Sequence, residues 1–362
     1  MKSCLEFDYP RDRYEIIVAD DSSDKTSRLL DSLHKRTGGA FRIVRRQSRQ
    51  GYKAGALNEA LKRSSGDIIV VFDSDYVLDK NFLREIVKPF SSPNVGFVQT
   101  RWEYLNAGKN WVSRLAMTAY AAFHQCSMPI KEKIGTAIFC GTGGAIRKSL
   151  LAEAGGWNEN SIAEDLDITV KILRNGHRMA YLPHVKARGE VPSTLNSFVR
   201  QQQRWAYGTT KIMKDELGKI FRSKKLSKKQ KFDMFFLTSG FIVFPFILGV
   251  TVSTMFVMSA WFGPNTTGIF FDIENIIESA GLALNDFFSF EGIAILALSS
   301  GYIFECIVAL IKQKTYRDLT VIPYIFAVGL IMQITNTVAV LKAILGIKHA
   351  FYKTPKMSYR GG

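Results

Sequence analysis

Asp73-Ser74-Asp75 sets two carboxylates two residues apart at the end of an apolar run, residues 67–72 (Asp-Ile-Ile-Val-Val-Phe). Hard oxygen ligands of this kind suit Mg2+ or Mn2+, which can bridge a diphosphate. Such a metal neutralises the charge that builds on a nucleoside-diphosphate leaving group. Taken alone, the same pair also fits a solvated acidic loop. Asp20-Asp21 ends an earlier apolar run, residues 14–19, and offers acceptors for the imide and hydroxyls of a nucleoside. Lys53, in Gly51-Tyr52-Lys53-Ala54-Gly55, stands at an expected helix start, where a cation and free N–H groups suit phosphate. Glu164-Asp165-Leu166-Asp167 follows a Gly155-Gly156-Trp157 turn and opens an expected helix through Leu173. Acids there answer to the helix dipole, or supply a general base within reach of an attacking hydroxyl. Phe139-Cys140-Gly141-Thr142-Gly143-Gly144 is small and pliant enough for something to pass close to its backbone. Gln201-Gln202-Gln203-Arg204-Trp205 joins amide donors, a fixed cation and a flat ring. That set suits a diphosphate beside a sugar, and equally an interfacial helix with a Trp anchor.

The elements that must position these groups alternate. Strands are expected at 14–19, 41–45, 67–72 and 95–100, with helices at 26–34, 53–63 and 80–90, the last capped by Asp79. This order predicts an α/β fold with a mostly parallel sheet flanked by helices. Ligands on such sheets lie beyond the carboxyl ends of the strands. Both acidic clusters fall at those ends and are expected to share one crevice.

The overall composition is that of an ordinary soluble protein, but the halves of the 362-residue chain differ. The net charge of +16 divides into +9 over residues 1–218, +7 over 219–232, −5 over 263–292 and +7 over 312–362, with Asp233 and Glu305 completing it. Residues 234–262 are 29 consecutive residues without a charge. Two further apolar stretches follow, 292–311 (interrupted by Glu305) and 319–341, so three membrane spans are expected where about 20 residues suffice for one. A purely soluble enzyme, a disordered chain and a fibrous repeat are excluded. The basic runs abut the apolar spans, which points to a membrane flank and anionic lipid rather than nucleic acid. That charge pattern puts residues 1–218 in the cytoplasm and 263–292 outside. Three crossings would leave the basic tail outside, so residues 319–347 are expected to turn back into an amphipathic helix near Thr335–Ile347. The N-terminus is polar and acidic, without the pattern of a signal peptide. Cys4, Cys126, Cys140 and Cys306 lack paired spacing, which argues against a disulfide framework or zinc ribbon.

The order of motifs is far more specific than any one of them: DDSSD, GYKAGALN, DSD, FCGTGG, AED, QQQRW, then the spans. In this order the chain resembles the processive family 2 glycosyltransferases: cellulose, hyaluronan and chitin synthases, and especially the cellulose synthase-like mannan and glucomannan synthases. Gln99-Thr100-Arg101-Trp102 and Gly155-Gly156-Trp157 also look like that last branch. The resemblance implies a cytoplasmic GT-A domain over 1–218, a basic interfacial linker over 219–232, transmembrane and interfacial helices over 233–347, and a gating-loop-like tail over 348–362. It implies a multi-pass protein of the plasma membrane and a UDP- or GDP-sugar donor used with Mg2+ or Mn2+. The acceptor would be the end of a β-linked polysaccharide that the helices export.

By the same resemblance Asp20 and Asp21 contact the nucleoside, Lys53 and Arg204 the diphosphate, and Asp73 and Asp75 the metal. Asp165 is the base. Phe139, Cys140, Gly141, Thr142, Glu164, Gln201 and Trp205 meet the acceptor. Phe351, Thr354 and Lys356 fit a gating loop, FxVTxK, with Lys353 in place of its Val. Ala163 stands where the family usually has Thr. A first span, a first strand and a closing span usual in the family are not seen, so one edge of the nucleotide pocket is expected to be open. A single-transfer enzyme acting on ceramide or a polyprenyl phosphate, and an inactive truncated chain, are the alternatives.

Overall fold

The computed structural model describes residues 1–262 and 290–349. In chain order the elements are α1 (Lys2–Leu5), β1 (Ile17–Ala19), α2 (Thr26–Arg36), β2 (Arg42–Val44), α3 (Tyr52–Lys62), β3 (Ile68–Val71), β4 (Val77–Leu78), α4 (Phe82–Val87) and β5 (Val95–Tyr104). They continue with α5 (Trp111–Ala122), α6 (Met128–Ile134), β6 (Gly144–Arg147), α7 (Lys148–Glu153), α8 (Glu164–Arg174), β7 (Arg178–Gly189), α9 (Leu195–Arg222) and α10 (Lys228–Ser239). The last are α11 (Val243–Phe262), α12 (Phe290–Gln313) and α13 (Ile322–Ile344).

The sheet is mixed, which corrects the expectation of a mostly parallel one. β1 and β2 form a separate parallel pair, and the other strands form a five-stranded sheet in the order β3-β6-β5-β7-β4. Within it only β5 and β7 run parallel. The short β6 runs back between β3 and β5, antiparallel to both, and β4 is antiparallel to β7. β6 begins on Gly144 at the end of the glycine loop and is four residues long, too short to carry a period-2 signal. Its reversal lays that loop across the carboxyl end of β3. Asp79 also departs from expectation: it pairs with Arg188 at 2.8 and 3.1 Å, and Asn81 occupies the N-cap of α4.

The inner core packs α3, β3, β5, β6 and α8 around Val71, Phe97, Phe139, Ile146, Ile168 and Leu173, all nearly inaccessible. A second core on the opposite face is built on Phe82, Ile86, Val98 and Ala187.

The helices that follow are docked on this body. Cys306, Ala309 and Leu310 of α12 pack against Met117, Ala121 and Ala122 of α5. Ala339, Val340 and Ala343 of α13 pack against Ala206 and Tyr207 of α9. Among the described residues two helical stretches are long and apolar enough to cross a membrane, Lys228–Val250 and Ala327–Ile344. The expected second span, 292–311, falls within α12. The expected turn-back within 319–347 is not seen: α13 is one uninterrupted helix, with Pro323 in its first turn, where a missing N–H costs nothing. The basic segment 219–232 is the last turn of α9, a short turn and the start of α10 rather than a linker of its own.

Candidate active site

The glycine loop after α6 is fastened from beneath by β5. The Gln99 side chain donates to the carbonyls of Thr100, Thr142 and Gly143 at 3.1, 2.9 and 3.2 Å and accepts the Cys140 N–H at 2.8 Å. Thr100 Oγ1 donates to the Gly143 carbonyl at 2.6 Å, and Trp102 Nε1 to the Thr142 carbonyl at 3.0 Å. From the other side Thr142 Oγ1 accepts the Asp73 N–H at 2.9 Å, and Gly143 N–H reaches the Val71 carbonyl at 2.9 Å. Gln99-Thr100-Arg101-Trp102 thus earns its place by locking the loop to the strand end that carries Asp73. Gln99 is fully buried, so Gln99→Leu strands several polar groups. It is expected to cost about 2 kcal/mol, read as a fall in the thermal midpoint of unfolding.

Lys53 stands at the centre. Gly51, in the left-handed region at φ 69°, starts α3 and brings Lys53 into its first turn. The ammonium donates to Asp73 Oδ1 at 2.7 Å and to the Gly141 carbonyl at 2.9 Å, and lies 3.8 Å from Glu164 Oε1. These contacts join α3, the end of β3, the glycine loop and α8. At Gly141 (φ 77°) a Cβ would lie 2.9 Å from Asp165 Oδ2 and 3.2 Å from Asp165 Cβ. Only glycine allows that carboxylate so close to the loop.

Glu164 and Asp165 share the start of α8. Burial is the largest influence on both and raises both pKa values; the Asp165 charge raises Glu164 further, while Lys53 and Arg204 pull both down. Asp165 Oδ1 accepts the Leu166 N–H at 2.8 Å, which fixes the carboxylate with Oδ2 turned to Gly141. A half-buried, oriented carboxylate of raised pKa beside two cations has the properties of a proton acceptor near neutral pH.

Arg204 reaches this place because α9 closes on α8. Gly208, one turn beyond Arg204, has no side chain, and a Cβ there would meet the Ala163 Cβ at 2.7 Å. The departure to Ala at position 163 thus faces a glycine at the crossing. Gln201, Arg204 and Trp205, spaced i, i+3, i+4, share one face of α9. Gln201 Oε1 accepts the Tyr120 hydroxyl, and Trp205 packs on the same Tyr120 ring at 5.5 Å between centroids. An aromatic wall of Tyr104, Tyr120, Phe198 and Trp205 results.

Asp20 and Asp21 lie at the end of β1 and both meet arginines that sequence reading did not pair with them. Asp20 accepts from Ser22 N–H at 3.0 Å, Ser27 Oγ at 2.9 Å and Arg45 Nε at 2.9 Å. Burial alone would raise its pKa, but Arg45, Ser22 and Ser27 outweigh it and hold it at about 2. The stability this carboxylate contributes is complete above its unfolded value near pH 4 and is lost as pH falls toward about 2. Asp20→Asn is expected to flatten that acid limb in denaturation measured from pH 5 to 2. Asp21 pairs with Arg46, which also donates to the carbonyls of Gln50 at 2.7 Å and Tyr52 at 3.0 Å. Arg46 therefore ties the Asp21 loop to the turn that delivers Lys53.

Asn58 was read only as part of GYKAGALN. It brackets Trp157, donating to its carbonyl at 2.8 Å and accepting its N–H at 2.9 Å, and so sets the Gly-Gly-Trp turn that leads into α8. His124 carried no motif at all; it is buried between Trp102 and Tyr181, and burial, with Arg101 nearby, holds its pKa at about 3. Direct contacts thus join Lys53, Asp73, Gly141, Thr142 and Glu164, with Asp165 against Gly141. Cys140 adjoins them, its thiol pKa raised by burial and by Asp165. Phe351, Thr354 and Lys356 lie outside the described residues.

Among the described residues no cluster of three His, Cys, Asp or Glu forms a ready-made metal cage. The donor set at the end of β3 nevertheless suits Mg2+ or Mn2+. Asp75 Oδ2 accepts the Glu190 N–H at 3.2 Å, and the half-exposed Asp73 opens on the crevice. Such ions take one or two carboxylates and fill the remaining positions with water and substrate phosphate.

Residues 1–208 match the family described as glycosyltransferase-like family 2. Among curated proteins the chain is 32% identical over 248 residues to glucomannan 4-β-mannosyltransferase 7 of Arabidopsis thaliana, covering 65% of this chain and 44% of that protein. It is 33% identical over 232 residues to glucomannan 4-β-mannosyltransferase 2 of the same plant, covering 60% and 42%. The chain thus spans less than half the length of these relatives. Among solved structures, a mannosyltransferase of Pyrobaculum calidifontis in complex with GDP-Man and Mn2+ superposes with a TM-score of 0.60 at 22% identity, covering 96% of this chain and 82% of that one. That likeness establishes a shared GT-A-like fold.

Proposed function

The chain belongs to glycosyltransferase family 2, and from that premise we propose that it is a membrane-held, inverting hexosyltransferase. It takes a sugar from a nucleoside diphosphate, GDP-mannose before others, and adds it to the end of a β-linked polysaccharide that it also exports. One observation carries the reading: Asp165, half-buried and oriented, lies against Gly141 in a site where Lys53 bonds both the Gly141 carbonyl and Asp73. The glucomannan mannosyltransferases among its relatives support the choice of donor and acceptor class.

In this reading the acceptor terminus lies over Cys140, Gly141 and Thr142, with its penultimate sugar on the wall formed by Trp205 and Tyr120. Gln201 and Glu164 hold acceptor hydroxyls. Asp165 Oδ2 takes the proton of the attacking hydroxyl. The new C–O bond forms at the anomeric carbon as the bond to the diphosphate breaks, so an α-linked donor gives a β-linked product. Arg204 and Lys53 supply the fixed positive charge that meets the departing diphosphate. Asp73 and Asp75 would hold Mg2+ or Mn2+, which when bound neutralises diphosphate charge. Asp21, the more accessible acid of its pair, faces the nucleoside, while Asp20 positions the loop. Lys228–Val250 crosses the membrane, Ala327–Ile344 lies along α9 at the membrane surface, and the cations on either side of Leu226 keep the catalytic half cytoplasmic.

Membranes bearing the chain, supplied with GDP-mannose, UDP-glucose, GDP-glucose or UDP-N-acetylglucosamine, test this. GDP-mannose is expected to give the highest incorporation. EDTA should reduce it at least about 100-fold, and Mn2+ or Mg2+ should restore it. Transfer unaffected by chelation would remove Asp73 and Asp75 from the account.

A further inference from the structure

Away from the crevice, a shallow, open depression of about 420 Å3 lies where α8 ends and α9 turns into α10, lined by Arg174, Asn175, Lys219, Arg222, Ser223, Lys224 and Lys225. None of the catalytic or binding residues assigned above takes part. Five of its lining residues are cations. Glu216 neutralises part of the wall, bonding Arg174 Nη1 at 2.8 Å and Lys219 Nζ at 2.6 Å, and Glu153 holds the Asn175 amide at 3.2 Å. Arg222, Lys224 and Lys225 are exposed around the rim.

The shape of this rim is set by the core and not by the lysines themselves. Ile220 and Leu226, on either side of the turn, are buried in the inner core together with Met234 of α10. Ser223 Oγ donates to the Arg174 carbonyl at 3.0 Å and accepts the Lys225 N–H at 3.2 Å, pinning the turn to the end of α8. The stem of Lys225 lies along Gly176, where an added Cβ would meet its Cδ at 3.1 Å. The backbone that carries these cations is therefore fixed, which lowers the cost of ordering them around an anion.

Its neighbours say where the anion comes from. Phe221, Phe232 and Phe236 are half or more exposed, with Phe232 and Phe236 4.7 Å apart between centroids. They flank the same turn closely in the chain, on the last turn of α9 and the second and third turns of α10. An apolar aromatic shelf next to a cationic hollow matches the boundary between acyl chain and headgroup.

We propose that this hollow binds a phosphate group, presented by the headgroup of an anionic membrane lipid whose chains lie along Phe232 and Phe236. The lipid source rests on the membrane placement of α10 proposed above; the phosphate chemistry does not. Mutual repulsion of the clustered cations is relieved when the anion enters, so the lipid also fixes the joint between the catalytic half and the first membrane helix.

The full chain in detergent, titrated with dihexanoyl phosphatidic acid, dihexanoyl phosphatidylcholine and inorganic phosphate, tests the proposal. The pocket variant Arg222→Gln/Lys224→Gln/Lys225→Gln is compared with Lys228→Gln/Lys229→Gln/Lys231→Gln, which removes equal charge from α10 outside the hollow. Phosphatidic acid is expected to bind the native chain roughly tenfold more tightly than phosphatidylcholine. The pocket variant should lose that preference, and the α10 variant should keep most of it. Lys224→Arg/Lys225→Arg should restore binding, which separates lost anion contact from misfolding. Inorganic phosphate binding as tightly as phosphatidic acid would keep the phosphate site and overturn the lipid source. Equal losses in both triple variants, or no preference in the native chain, would overturn the proposal. Carbonate extraction of native membranes reports the placement of α10 separately.

Discussion

Asp165→Asn is expected to reduce sugar transfer by about 10^3-fold or more, a loss of about 4 kcal/mol of transition-state stabilisation. The protein should remain folded. Asparagine keeps an oxygen for the Leu166 N–H, now 2.8 Å from Asp165 Oδ1, and fits the space left by Gly141. It also removes a carboxylate whose pKa burial has raised and which repels Glu164. A group with a raised folded-state pKa is destabilising once pH exceeds its unfolded value near 4, because the folded state resists its ionisation. Asn should therefore leave the thermal midpoint at neutral pH unchanged or raise it. Activity and stability moving in opposite directions would identify a functional carboxylate; both falling together would mark Asp165 as structural.

The second large effect is that of Lys53→Met. Asp73 and the Gly141 carbonyl lose a donor each, at 2.7 and 2.9 Å, and the Glu164–Asp165 pair loses a cation that lowers both pKa values. Removing positive charge favours the protonated acids, so the base is freed only at higher pH. The acid limb of the kcat/KM profile should move up by about one pH unit, with a loss of about 100-fold at neutral pH. Lys53→Arg, which keeps the charge, should return most of the shift in the limb even if it returns little of the rate. A limb that stays in place with Lys53→Met would mean that Glu164 and Asp165 do not govern the proton transfer.

How far the sequence reached depends on the range of the interaction. Lys53, Asp73 and Asp165 were legible because helix starts and strand ends are local features, and each stands at such a boundary. The sheet was not: β6 is a four-residue strand whose direction is set by Gln99, Thr100 and Val71 pulling the glycine loop across β3. No window of sequence contains that reversal. The arginine partners of Asp20 and Asp21 escaped the reading because Arg45 and Arg46 are 25 residues away and lie just past the other strand of a parallel pair. Gln99 and Asn58 bond backbone groups 41 to 99 residues distant, so the polar groups that build the site stayed invisible in composition and spacing. Hydropathy registers burial of any kind, so it did not show that Cys306, Ala309 and Leu310 of α12 are buried against α5.

The product of the reaction distinguishes an inverting polymerase from the alternatives most directly. Labelled GDP-mannose, incubated with native membranes and Mn2+, should yield material of high molar mass that a β-mannanase degrades, as one inverting displacement at Asp165 requires. A short product that partitions into organic solvent, or one resistant to the β-specific enzyme and sensitive to an α-mannosidase, would contradict it.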